Sequence, residues 1–399
     1  MSEERHHTDR AFALILSLAR RTLFPLLLLS GCEPSVPAAA SQGPPAALAD
    51  TTFARLVEAL SEPGGYFDTD NLISNERSYL HVVGVLREMG VEEGGAYLGV
   101  GPDQNFSYMA ALRPSVALVV DIRRDNMLQH LLFKALFHLA DTRVEYLGLL
   151  HGRALPEDPA SWTGRDVEAL VEHVDGSPPL AGPERARLRL LVDSTVASFG
   201  VPLSPEDRAT LARFHDAFIT EGLSLRFRSH GRAPRPYYPT FRQLLLERDL
   251  GGRRANYLAH EESYRFLREM QRSHLVIPVV GDLAGPHALR AIGEWLRGRG
   301  ENVSAFYVSN VEFYLFGDGS FPRFADNVGA LPFRAGSVLI RSYFPTFRGS
   351  HPHAVEGYHS TQSLQTLASL VEASRGRGYR SYWELVTRDA LDPRAVSAR

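Results

Sequence analysis

The sequence predicts an α/β fold: a mostly parallel sheet of about six or more strands flanked by helices, with a helical insertion after the third strand. Three observations carry this expectation. Short apolar runs, Ala96–Gly101, Val116–Asp121 and Leu275–Asp282 among them, alternate with stretches of helical periodicity. That is the pattern of parallel strands buried on both faces by crossover helices. The first run enters a glycine turn at Gly99 and Gly101, and the second ends in an acid, Asp121. Residues from about 152 to 270 then break the alternation and are helical in character, with proline- and glycine-rich loops between.

The chain begins with a leader. Arg20 and Arg21 precede the apolar run Leu23–Leu29, and Leu29-Ser30-Gly31-Cys32 follows it, ending in the only cysteine of the 399 residues. This arrangement resembles a bacterial lipoprotein signal, with positive charge before a short greasy stretch and small residues before the thiol that takes the lipid. The run is too short to span a bilayer. The resemblance implies that residues 1–31 are a signal peptide and that the membrane is a partner through acyl chains on Cys32. The protein would then sit in the bacterial cell envelope, facing the periplasm or exterior. A leader that only looks like a signal would leave it in the cytoplasm. Residues 32–50, rich in proline, alanine and serine, read as a disordered tether.

Composition behind that leader is that of an ordinary globular body, 44% hydrophobic and 22% charged, with a formal net charge of -3. Nothing in it suggests a nucleic-acid partner. With no cysteine after position 32, an internal disulfide, a thiolate metal site and a thiol nucleophile are all excluded.

The elements follow in order. A helix is expected around Phe53–Leu60, ending at Pro63-Gly64-Gly65, and a second one opens at Ser74 as its N-cap. The strand Ala96–Gly101 leads into a helix through about Leu112, and strand Val116–Asp121 is followed by a helix over Asn126–Ala140. A third strand is expected at Val144–Leu150. Ser204-Pro205 should cap a helix, with the proline at its first position. Strands return at Leu275–Asp282, Val303–Val311 and Ser337–Tyr343. The domain is therefore expected to comprise 51–151 and 271–399, with 152–270 as a helical insertion or cap.

Glycines 99 and 101 let a ligand approach backbone N–H groups, and Asp121 stands about 20 residues on, where an acid can accept from ribose hydroxyls. Leu98-Gly99-Val100-Gly101 and Val120-Asp121 resemble the first two motifs of the class I S-adenosylmethionine-dependent methyltransferase fold, a Rossmann-like sheet. Strand Val276–Asp282 resembles that fold's fourth strand. Tyr97 replaces the acid that usually precedes the first glycine, and Gly281-Asp282-Leu283-Ala284 stands where a catalytic motif would follow. Asn71–Glu76, Gly101–Phe106 and Ser309–Glu312 together resemble an uncharacterised bacterial family of this fold, from which no activity carries over. The resemblance implies S-adenosylmethionine as the cofactor, held by Gly99, Gly101, Asp103 and Asp121. Asp103 occupies the place of the third dinucleotide-motif glycine, where a carboxylate would repel a pyrophosphate, so NAD(P) ranks below it.

Asn75, Glu76, Gln104 and Asn105 are pocket candidates, because they flank the first strand's carboxyl end. Asp282, Asn310 and Glu312 are the catalytic candidates, with Glu312 as a base beside an orienting amide. His351, His353 and His359 are close in sequence, but Pro352 and the irregular spacing point to loop histidines, and no metal is expected. The aromatic-proline loops Tyr237-Tyr238-Pro239 and Tyr343-Phe344-Pro345 could line a pocket or merely pack. The reading these features support is a membrane-anchored lipoprotein with a methyltransferase-like fold that binds a small molecule or a partner, with or without catalysis. An active S-adenosylmethionine-dependent methyltransferase is the alternative, and an NAD(P)-binding oxidoreductase is third.

Overall fold

Six strands form one sheet in the order β3-β2-β1-β4-β5-β6. They are β1 (Ala96–Gly99), β2 (Val116–Asp121), β3 (Val276–Val280), β4 (Val303–Ser309), β5 (Phe333–Tyr343) and β6 (Thr361–Thr366). The first five run parallel, and β6 pairs antiparallel with β5. Register places Leu98 of β1 beside Leu118 on one side and Phe306 on the other. All of these side chains are buried, as a strand covered on both faces requires. The computed structural model describes residues 47–89, 91, 94–345 and 349–394. The expected signal peptide, Cys32 and the tether as far as residue 46 lie outside the described residues. Among the described residues no helix is long and apolar enough to cross a membrane.

The expected third strand is a helix, Arg143–Leu150. Thr142 accepts from the Glu145 backbone N–H, and Glu145 reaches back to the Thr142 N–H at 2.8 Å, a capping box that fixes the helix start. A short apolar run cannot be assigned by periodicity alone, and here the cap decides. The sheet's third strand is instead Val276–Val280, which the sequence reading had placed fourth. The helical stretch from Arg143 to Arg272 therefore precedes the third strand. Its helices Gly182–Ser198 and Pro205–Glu221 pack on the helix Arg124–Leu139 that follows β2. The expected cap at Ser204-Pro205 is present, with Ser204 accepting from the Asp207 N–H. Ser74, expected as a helix N-cap, instead accepts from the Glu76 N–H within a turn, and helix resumes only as Arg77–Leu80 and Val83–Glu88.

Strand β6, Thr-Gln-Ser-Leu-Gln-Thr, carries no apolar run, yet Gln362, Ser363 and Gln365 are fully buried. Burial of so polar a strand is sustained by partners. Gln362 donates to Glu76 at 2.9 Å, and Gln365 accepts from Arg341 at 2.8 Å.

Candidate functional site

The turn after β1 is held by one side chain. Asn105 Nδ2 donates to the carbonyls of Val100 at 2.8 Å and Pro102 at 2.7 Å, while its Oδ1 accepts from the Tyr97 hydroxyl at 2.8 Å. A Cβ at position 99 would collide with that Asn105 oxygen, so Gly99 is required for the turn's own packing. Gly101 has a left-handed backbone, φ 79°, and here the freedom of glycine is used. Its carbonyl accepts from His130 Nε2 at 2.9 Å, and burial pulls that imidazole down to about 4, so it is neutral and donates.

A cavity of about 340 Å³ opens beyond this turn, at the carboxyl ends of β1, β2, β3 and β4. Gly101 and Gln104 line it from the first turn, Asp121 and Arg123 from the end of β2, Asp282 from β3, and Ser309 with Asn310 from β4. The segment before β1 adds Asn71, Asn75 and Glu76. Two lining residues other than glycine, Asn71 at φ 51° and Ser309 at φ 53°, hold left-handed backbone. Each costs about 1 kcal/mol or more, and such positions cluster at ligand sites.

Asp121 does not stand free at the end of β2. Arg123 grips it through Nε at 3.0 Å and a terminal nitrogen at 2.8 Å, and Arg123 also donates to the carbonyls of Thr69 and Asp70 at 3.0 and 2.7 Å. The arginine thus staples the pre-β1 segment to the end of β2 and neutralises the acid. Asp282 is less committed. Its backbone N–H goes to Glu62 at 2.8 Å and its Oδ1 accepts from the Ala284 N–H at 2.9 Å. Its second oxygen remains available to the cavity. Four carboxylates, Glu76, Asp121, Asp282 and Asp318, line the space against two guanidiniums, Arg123 and Arg323.

Glu76 is 1% exposed and still faces the cavity. Its Oε2 accepts from the Tyr307 hydroxyl at 2.6 Å, from Gln362 Nε2 at 2.9 Å and from Ser342 Oγ, and its Oε1 accepts from Ser309 Oγ. Every donor is neutral. Among the described residues, no cation pairs with it.

The structure thus brings Gly101, Asp121, Asn75, Glu76, Gln104, Asp282 and Asn310 to one cavity, and leaves four expected residues out of its lining. Gly99 and Asn105 build the turn. Asp103 is buried with the Tyr257 hydroxyl 3.2 Å from its Oδ2, and desolvation pushes it up to about 7. It does not guard the turn against phosphate. Glu312 is locked to Arg341 by bonds of 2.6 and 3.0 Å, both side chains fully buried, so the expected base is a structural ion pair. Arg123, Tyr307, Ser342 and Gln362 were missed by sequence reasoning. Arg123 had a signal, since it follows a strand-end acid by two residues; the others are polar residues in or beside strands.

Away from the cavity, His351 Nε2 donates to the Val386 carbonyl at 2.9 Å, and the His359 ring packs tilted against Tyr237 with centroids 3.7 Å apart. Among the described residues, no group of three or more His, Cys, Asp or Glu is placed to hold a metal ion.

A search of curated proteins finds no match to this chain. The model of one family matches residues 72–157 and 228–395, a span that contains all six strands and the cavity residues Glu76, Gln104, Asp121, Asp282 and Asn310, and that leaves out part of the helical stretch between β2 and β3. With well over half of its length matched, the chain belongs to the family described as domain of unknown function DUF7790.

Proposed function

We propose that this chain binds a nucleoside-containing ligand that carries positive charge, of the S-adenosylmethionine class, and that it does so as a lipid-anchored protein of the bacterial envelope held through Cys32. One observation carries the ligand reading: the Gly101 turn, Asp121 and Asp282 stand at the ends of three adjacent parallel strands and face one cavity. The order 3-2-1-4-5 is that of Rossmann-like, doubly wound sheets, whose ligands sit where the strand order reverses, here between β1 and β4. A volume of about 340 Å³ falls within the range of small-molecule sites.

The residues fit such a ligand. Gly101 leaves room for close approach to the backbone, Asp121 retains acceptor capacity on Oδ2 for a ribose hydroxyl, and Asp282 offers a carboxylate to an amine donor. The excess of acid over base favours a cation and disfavours a pyrophosphate, because Arg123 is already spent on Asp121. This replaces the Asp103 argument against NAD(P) with one drawn from the whole lining. When bound, S-adenosylmethionine would supply an electrophilic methyl group. The proposal is of binding rather than transfer: Glu312 is withdrawn into its ion pair, and an envelope location separates the cavity from the cytoplasm, where that cofactor is made.

Calorimetric titration of the full-length chain with S-adenosylmethionine and S-adenosylhomocysteine tests the ligand. Micromolar binding, weakened at least tenfold in Asp282→Ala, supports it; a folded protein that gives no heat with either sinks it. Mass spectrometry of the N-terminal peptide tests the anchor, which requires an acylated Cys32 and loss of that acylation in Cys32→Ser.

A further inference from the structure

The Glu76 end of the cavity carries acceptors that the protein itself does not use. Tyr307 has a single hydroxyl proton, and the charged Glu76 Oε2 at 2.6 Å takes it. The tyrosine oxygen must therefore accept from Gln104, whose Nε2 lies 3.2 Å away. That contact fixes the amide's orientation. Gln104 Oε1 is then turned to the other side, and it has no hydrogen-bond partner within the protein although Gln104 is only 6% exposed. An unmade bond at a buried carbonyl is costly, and because Gln104 lines the cavity, a small shift of its side chain on binding would let a donor there relieve it.

Glu76 adds the charge. Its Oε2 is saturated by three donors, while Oε1 holds only Ser309. A guanidinium seeks both oxygens of a carboxylate in a planar fork, and Oε2 has no room for one. A primary ammonium is a compact point charge with three donors that can be shared between acceptors on different side chains. A carboxylate beside an unpaired carbonyl oxygen favours the ammonium over an anion at this spot.

We infer that Glu76 Oε1 and Gln104 Oε1 form a subsite for a primary ammonium group on the ligand. The inference deepens the reading of the same cavity and rests on it only for the nucleoside end. The ammonium can come from two sources, the amino-acid tail of a sulfur-linked nucleoside or a separate amine, and the test separates them.

The probes are S-adenosylhomocysteine, 5′-methylthioadenosine, which lacks the amino-acid tail, and 1,4-diaminobutane. Each is titrated against the full-length chain and its Glu76→Gln and Gln104→Met variants, with thermal melting as the check on folding. Gln104→Met keeps the side chain's length and removes the orphan acceptor, so it serves if Glu76→Gln fails to fold. If the tail is the source, S-adenosylhomocysteine binds about ten- to a hundredfold tighter than methylthioadenosine, and the gap closes in a folded variant. If a separate amine is the source, the diamine binds and is lost in the same variants. Equal binding of the two nucleosides with no binding of the diamine overturns the subsite and leaves the nucleoside reading standing. Diamine binding without nucleoside binding does the reverse. No binding by any probe overturns both.

Discussion

Tyr307 and Glu76 meet at 2.6 Å across a sequence distance of 231 residues, joining β4 to the segment before β1 in a buried hydrogen bond to a carboxylate. Removing it with Tyr307→Phe leaves the acid one donor short and frees the Gln104 amide to rotate. We expect a loss of about 1–3 kcal/mol in denaturant unfolding, with an unchanged m-value. A fully neutral result would mean that the carboxylate is not held as described.

Glu312→Ala should act on stability and not on ligand binding. The variant leaves Arg341 charged and fully buried with only Gln365 beside it. Loss of one member of such a pair costs about 3–5 kcal/mol. Loss of ligand affinity in a variant that keeps its stability would restore Glu312 to the site.

Asp103 gives a pH signature. Its carboxyl is raised to about 7 in the folded chain by desolvation, against 3.8 as the ordinary value. The stability this group lends is full below pH 4 and is lost as pH rises through 7, because the unfolded chain releases its proton first. Asp103→Asn removes that loss. We expect no gain at pH 4 and a gain of up to about 4 kcal/mol at pH 8, read from unfolding midpoints across the range. Equal effects at both pH values would show the carboxyl ionised throughout.

His130 and His151 work in the opposite direction. Burial lowers both to about 4, and each leaves one ring nitrogen without a partner, Nδ1 in His130 and Nε2 in His151. Their neutral forms donate to the carbonyls of Gly101 and Phe218. The unfolded chain takes up protons at these residues below pH 6.5 while the folded one does not, so stability falls as pH drops from 6.5 to 4. Two such groups give about 2.7 kcal/mol per pH unit around pH 5. His130→Gln should flatten the measured slope by its own share, about 1.4 kcal/mol per pH unit, and an unchanged slope would remove His130 from the account.

Five of the six strands were legible because each is a run of apolar residues bounded by turn formers. β6 was not, since Gln362, Ser363 and Gln365 carry no hydrophobic signal, and the two glutamines are held in the interior by partners outside the strand, Glu76 and Arg341. Val144–Leu150 was misread for a related reason: its apolar content suits a strand or a helix, and the cap that decides between them, Thr142 with Glu145, lies at its edge. At the site, strand-end position was enough to bring Asp121, Asp282 and Asn310 to one cavity. Which acids stay available was not legible. Asp103 and Glu312 look as free as Asp282 in the sequence, and they differ in the burial that desolvates Asp103 and in the grip of Arg341 on Glu312.

The donors to Glu76 also impose an order on how the molecule can come into being. Residue 76 leaves the ribosome long before residues 342 and 362, which supply two of its hydrogen bonds. A nascent chain therefore has every parallel strand but the last in hand, Tyr307 and Ser309 among them, while the acid at the floor of the cavity still lacks half of its four donors. The proposed recognition at that end would be a property of the finished chain, and a truncation just ahead of β6 would abolish it while most of the sheet's sequence remains intact.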